Sequence, residues 1–268
     1  MDSAEWFGPT DVAASGCPLP VLPLTCACPG CGLVADAERL RWRLYVCDCG
    51  NHFRMSAEAW IALLASPGSW HERWDDLRPR DQLRWAEPRP YQGTLESALR
   101  RGMNEAVRTG PCVVERHPVW LAAFDFGFVG GTLGVVAGER LASAIECAAD
   151  ERAPFVLVTA SGGARMQEGT LALMQMAKVN AALHALERAG VLFLSILTDP
   201  TFGGTAASVA LLGDVNIAEP AAAIGFTGAR VIRRATHADL PAGFQTAEFQ
   251  LAHGQVDIVV SRLRLRQT

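Results

Sequence analysis

The sequence predicts an α/β protein with a parallel or mixed sheet, crossover helices and a small N-terminal zinc ribbon. From Cys112 onward, short apolar runs alternate with long helical ones, which is the rhythm of strand–helix–strand units. Of the 8 cysteines, Cys26, Cys28, Cys31, Cys47 and Cys49 fall in one short stretch. In a reducing compartment such a cluster holds metal more often than disulfides. The chain has 268 residues, 50% of them hydrophobic, which is enough for one large core with a small appendage.

The elements follow in order. Residues 1–24 are rich in Pro, Gly and Ala and are expected to be irregular. Residues 25–56 contain the cysteine cluster and form the predicted ribbon. Residues 57–110 read as a helical connector. Ser56 is placed as the N-cap of a helix running to Leu64, and Glu96–Val107 reads as a second helix. Residues 111–268 form the predicted core. Phe155–Thr159 and Leu192–Leu197 read as buried strands. Between them, Gly169–Glu187 reads as a helix apolar on most sides, with Met174, Met176 and Leu183, and therefore as a buried helix.

Composition excludes several roles. A net charge of −4 argues against a protein whose main task is gripping a phosphate backbone. The start, Met1-Asp2-Ser3-Ala4-Glu5, is acidic where a secretory signal would be basic. No apolar run is long and clean enough to span a bilayer. The expectation is a cytoplasmic protein with no membrane partner.

The cysteines form Cys28-Pro29-Gly30-Cys31, then, fifteen residues on, Cys47-Asp48-Cys49-Gly50. Four thiolates suit tetrahedral zinc, and a ribbon this short needs metal to order. The plainer alternative is four buried free thiols. The second pair has a one-residue spacer, so the site is either strained or helped by Cys26 or His52. Charges nearly balance here, with Arg39, Arg41, Arg43 and Arg54 against Asp36, Glu38 and Asp48. That is not the footprint of a nucleic-acid binder, and a structural lid or interface role is expected instead.

Two glycine pairs share a design. Thr159-Ala160-Ser161-Gly162-Gly163-Ala164-Arg165 and Asp199-Pro200-Thr201-Phe202-Gly203-Gly204-Thr205 each read as a strand ending in Gly-Gly before a helix. Glycine lets backbone N–H groups approach a ligand oxygen, and a helix N-terminus adds partial positive charge. Together they predict an oxyanion hole; the plainer reading is two tight turns. A third pair, Gly130-Gly131, is expected to let a loop pack near the site. No GxSxG, GxGxxG or Walker pattern appears in these segments. Chemistry run by oxyanion stabilisation is therefore expected, rather than chemistry by a nucleophile.

These segments carry a resemblance. Phe124-Asp125-Phe126-Gly127-Phe128-Val129-Gly130-Gly131, Ser161-Gly162-Gly163-Ala164-Arg165-Met166-Gln167-Glu168, Leu197-Thr198-Asp199-Pro200-Thr201 and Gly213-Asp214-Val215-Asn216-Ile217-Ala218-Glu219-Pro220 resemble the β subunit of bacterial acetyl-CoA carboxylase carboxyltransferase. So does the ribbon with His52-Phe53-Arg54-Met55. The resemblance implies a crotonase (ClpP-like) fold of stacked ββα units. It implies transfer of a carboxyl group from carboxybiotin, on a biotin carboxyl carrier protein, to acetyl-CoA to give malonyl-CoA. It also implies a structural Zn2+ on Cys28, Cys31, Cys47 and Cys49, and an α-subunit partner in an α2β2 heterotetramer. Gly162 and Gly163 would hold the thioester oxygen. Gly203, Gly204, Gly130, Gly131 and Arg165 would line the substrate site, with Arg165 either meeting substrate or bracing the loop through an ion pair.

The short second knuckle, Asn51 in place of a second His, and the unmatched ends imply a diverged, pathway-specific paralogue. Two rivals stand beside this reading. One is a biotin-independent malonyl-thioester decarboxylase, acting on CoA or an acyl carrier protein through the same enolate. The other is a non-catalytic scaffold subunit.

Overall fold

The computed structural model describes residues 25–237 and 239–268. The expectation for residues 1–24 lies outside the described residues. Strands β1 (Thr25–Ala27) and β2 (Val34–Asp36) pair antiparallel beside helix α1 (Ala37–Trp42). Asp36 caps α1, its carboxylate accepting from the N–H groups of Glu38 and Arg39, the usual work of an aspartate at this position. Helix α2 (Ala57–Leu64) follows, and the hydroxyl of Ser56 accepts from the Ala59 N–H as its cap.

The second connector helix differs from its expectation. Helix α3 runs Tyr91–Arg100, and Val107 already opens strand β3 (Val107–Val114). Gly102, at φ 78°, stops the helix. Its N–H donates to the Leu99 carbonyl and that of Met103 to the Ala98 carbonyl, a Schellman closure that favours glycine.

The core is one seven-stranded sheet in the order β3-β4-β5-β6-β7-β9, with β8 on β6. Its further strands are β4 (His117–Phe124), β5 (Phe155–Ser161), β6 (Phe193–Phe202), β7 (Val215–Ala218), β8 (Ile224–Gly225) and β9 (Ile258–Val259). Only β3 and β4 are antiparallel; the other pairs are parallel. Crossover helices α4 (Val135–Glu151) and α5 (Thr170–Arg188) join β4 to β5 and β5 to β6. Side chains alternate across the sheet, as the period of a strand requires. Ala122, Phe124 and Leu157 join Leu141 and Ile145 of α4 on one face. Leu121, Ala123, Val156 and Val158 join Trp60, Ile61 and Leu64 of α2 on the other.

Helix α5 is not the wholly buried helix its composition suggests. It buries a single stripe, Ala172, Gln175, Val179, Ala182 and Leu186. Leu171, Leu173 and Met174 face outward. The stripe must be narrow because α4 lies close: a β-carbon on Gly138 of α4 would stand 2.5 Å from Oε1 of Gln175. No described helix is long and apolar enough to cross a membrane.

Candidate active site and metal centre

Cys28, Cys31, Cys47 and Cys49 place their four sulfurs within 4.8 Å of one another. The Cys28–Cys49 and Cys31–Cys47 separations are 3.6 and 3.9 Å. With Zn–S bonds of about 2.3 Å, the edge of a tetrahedron is about 3.8 Å, so this donor set fits zinc. The one-residue spacer is accommodated by a turn in which the Gly50 N–H donates to the Cys47 carbonyl, with Gly50 at φ 91°. Burial acts upward on the Cys28 thiol, but amides of Cys31 and Gly30 and the neighbouring thiols outweigh it and hold it at about 7. Cys49 is pushed up to about 12: the Asn51 amide lowers it, but burial and the three other thiols prevail. Four crowded thiols resist ionising together unless a cation compensates.

Neither substitute ligand joins the cluster. The Cys26 sulfur sits against the Ala27 carbonyl. His52 instead stitches the ribbon to the core. Its Nδ1 lies 2.9 Å from the Gly50 carbonyl, and its Nε2 accepts the Arg262 N–H at 3.2 Å. Buried Arg262 pairs with Glu219, donates to the carbonyls of Leu44 and Phe53, and stacks over Trp60. Arg54 reaches from the ribbon to the Asp199 carboxylate at 3.3 Å and covers the Phe126 ring. The ribbon therefore touches the strand that leads into Gly203-Gly204.

The two glycine pairs meet. A β-carbon on Gly163 would stand 3.1 Å from the Gly203 Cα, and one on Gly203 would stand 3.0 Å from the Gly163 Cα. Gly163 (φ 112°) and Gly203 (φ 62°) also hold left-handed backbone, which favours glycine. A β-carbon on Gly204 would fall 1.9 Å from Met176 Cε, so that methionine walls the crossing. Only the second pair opens directly into helical backbone, a short α-helical turn at Gly203–Thr205 leading into a π-helical turn. After the first pair, α5 starts at Thr170.

The amides of the first glycine pair already have acceptors. The Gly162 N–H donates to the Gly130 carbonyl at 2.8 Å, and the Gly163 N–H to Ser161 Oγ at 3.1 Å. Both are thus used within the protein. Leu133 N–H donates to the Gly163 carbonyl and Arg165 N–H to the Leu133 carbonyl, a parallel bridge centred on Ala164. In such a bridge the central residue's own N–H turns away from its partner; the Ala164 β-carbon lies 3.7 Å from the position a β-carbon on Gly204 would take. The Gly203 N–H is taken by the Phe226 carbonyl. Among the described residues the Ala164 N–H makes no backbone bond outside the helices and strands, and the Gly204 N–H lies in the first turn of a helix, where amides have no intrahelical acceptor. These two amides flank the contact between the glycine pairs and are the donors we take forward. The alternation that frees Ala164 depends on its bridge to Leu133, and no motif spacing reveals it.

Other residues singled out in the sequence make packing and ionic contacts around the crossing. Gly131 lets the loop touch β5, since a β-carbon there would lie 1.9 Å from the Ala160 carbonyl oxygen. Its N–H donates to Phe128, so the observed role of Gly130-Gly131 is packing. Ser161 is buried and donates to Thr205 Oγ1 at 2.8 Å, so it presents no nucleophile. Arg165 is 0% exposed, in keeping with the loop-bracing ion pair of the two roles expected for it. Its guanidinium pairs with Glu105 and Glu168 and donates to the Thr132 carbonyl. Burial alone would lower its pKa, but Glu105 and then Glu168 outweigh this and hold it charged.

Comparison with known proteins gives a consistent picture. The carboxyl transferase domain family matches residues 84–250. An acetyl-coenzyme A carboxylase carboxyl transferase subunit beta from Pelobacter propionicus is 46% identical over 241 residues, 89% of this chain and 85% of its own length. That of Microcystis aeruginosa is 45% identical over 243 residues, 90% of this chain and 77% of its own. A "subunits beta/alpha" protein of Saccharopolyspora erythraea is 50% identical over 241 residues, and this chain spans 42% of its length. Among solved structures, transcarboxylase 12S with methylmalonyl-coenzyme A and methylmalonic acid bound superposes with TM-score 0.66 at 25% identity, over 80% of this chain and 41% of that one. A Pseudomonas malonate decarboxylase hetero-tetramer in complex with malonate gives 0.63 at 26% identity, over 79% of each. The fold is the crotonase type, with a cysteine cluster at its N-terminal end that fits a zinc ribbon.

Proposed function

Because this chain belongs to the carboxyl transferase domain family, among the acetyl-CoA carboxylase carboxyl transferase β subunits, we propose that it transfers a carboxyl group to acetyl-CoA, giving malonyl-CoA, through an enolate held at the glycine crossing. The observation that carries the site is the pair of amides, Ala164 and Gly204, where two glycine turns touch. Aimed at one thioester oxygen, such donors are each worth about 3 kcal/mol to a transition state that places charge there. Carboxybiotin, brought by its carrier protein, supplies the carboxyl group and, once relieved of it, the base for the α-proton. The chain's own part is to bind, orient and neutralise. Gly163 and Gly203 allow the close approach, Met176 walls it, and the first turn at Gly203–Thr205 adds its partial positive charge.

Zinc on Cys28, Cys31, Cys47 and Cys49 would order the ribbon and so hold Arg54 against Asp199. The second half of the cleft, with the α2β2 assembly, is assigned to an α subunit. Exposed Met166, Leu173 and Met174 support a partner beside the glycine turn. The resemblance to malonate decarboxylase keeps one alternative, since loss of CO₂ from a malonyl thioester makes the same enolate.

The test incubates the purified chain with malonyl-CoA, with and without its α partner and with and without biotin, and follows acetyl-CoA. Turnover requiring both partner and biotin is expected. Biotin-independent turnover by the chain alone would make it a decarboxylase. No turnover in any arm would leave the scaffold reading.

A further inference from the structure

Residues of the connector and the core share a buried ionic cluster. Arg165 immediately follows Ala164. It donates twice to Glu105, from Nη1 at 3.0 Å and from Nη2, and also to Glu168 Oε1 at 3.3 Å and to Thr132 Oγ1 at 3.2 Å. The Tyr91 hydroxyl donates to Glu168 Oε1 at 2.6 Å, and the Val135 N–H to Glu168 Oε2. Glu105 Oε1 also accepts the Ala106 N–H at 2.6 Å. A β-carbon on Gly134 would lie 2.7 Å from both Arg165 Nη1 and Glu168 Oε2, so the space is fully used. Burial and the neighbouring Glu168 push the Tyr91 phenol well above its ordinary value, so it stays a donor.

We propose that Tyr91 and Glu105 are positioning residues that fix the Ala164 amide, acting through Arg165 and Glu168. The proposal rests on the oxyanion reading above. A buried ion cluster is a poor source of stability, because desolvation offsets most of its Coulombic gain. This one is instead placed where it sets geometry. Its partners come from 60 and 74 residues away, and they grip the two ends of the segment that follows the first glycine pair, Arg165 and Glu168. The same cluster holds Thr132, next to the Leu133 bridge that turns the Ala164 N–H outward, and Val135, where α4 begins. Loosening either partner lets that amide drift, and a displacement of about 1 Å costs up to about a hundredfold in rate.

The test uses the complex with the α partner and compares Tyr91→Phe and Glu105→Gln with the native protein. Expected are a kcat lower by about tenfold in Y91F and about a hundredfold in E105Q, an unchanged KM for the acyl thioester, and unchanged zinc content and assembly. A variant that melts earlier yet keeps native kcat at 25 °C would overturn the proposal, as would a rise in KM with kcat intact. Should Glu105→Gln not fold, Tyr91→Phe still decides, since it removes one hydroxyl and leaves the ring in place. The native complex serves as the control on the parent reading. If its turnover proves biotin-independent, carboxyl transfer fails, and positioning is read on decarboxylation through the same amides.

Discussion

Neighbouring glycines at the crossing do different work. Gly162 has space: a β-carbon there would meet the Gly130 carbonyl oxygen at 3.4 Å, with the Thr132 methyl beyond. Gly163 combines left-handed backbone with a 3.1 Å approach to Gly203. Gly163→Ala is expected to cut turnover about a hundredfold or more, with Gly162→Ala near native. Equal effects in a steady-state assay would show that the crossing is not where the chemistry happens. His52 gives a second residue-scale outcome. Burial holds its pKa below the usual value, and its Nε2 must be unprotonated to accept from Arg262. The unfolded chain therefore binds the proton more readily. His52 contributes its stability in full above pH ~6.5 and loses it as pH falls toward the folded value. Melting temperatures measured from pH 7.5 to 5.5 should fall more steeply for the native chain than for His52→Gln, and parallel curves would refute this.

At the scale of elements, the ribbon is too small to stand alone. Its strands have 3 residues each and its helix 6. Removing zinc with a strong chelator is expected to release about one ion per chain and to disorder the ribbon while the main sheet persists. The Arg54–Asp199 contact would be lost with it, and activity should fall before the far-ultraviolet signal of the core does. Full activity in a zinc-free preparation would refute a role for the ribbon at the site. Local signals are readable here in part. Ser56 marks the start of α2 and does cap it, whereas the end of α3 departs from the pattern, because Gly102 outweighs the helical periodicity that continues past it.

For the whole molecule, the telling feature is what α5 leaves uncovered. Leu173 and Met174 are 55% and 56% exposed, on a helix whose buried stripe is already satisfied by α4. Apolar side chains of this size are worth about 1.5–3 kcal/mol each when covered. Leu173→Glu is therefore expected to weaken assembly with the α partner about tenfold to a hundredfold, read by sedimentation, with zinc content and chain stability unchanged. Undiminished assembly would place the interface elsewhere.

The sequence by itself determined the elements whose cause is local or periodic. These are the cysteine spacing that makes a four-sulfur site, the apolar runs that became β5 and β6, and the two Gly-Gly turns at strand ends. It also carried enough ordered motif to mark the family. Tertiary structure alone decided which amides are already taken, that Arg165 is a brace, and which face of α5 is buried. The physical reason is that each of these depends on partners far away in the chain. Leu133 sets the direction of the Ala164 N–H, Glu105 and Tyr91 claim Arg165 and Glu168, and the close approach of α4 selects which stripe of α5 is buried.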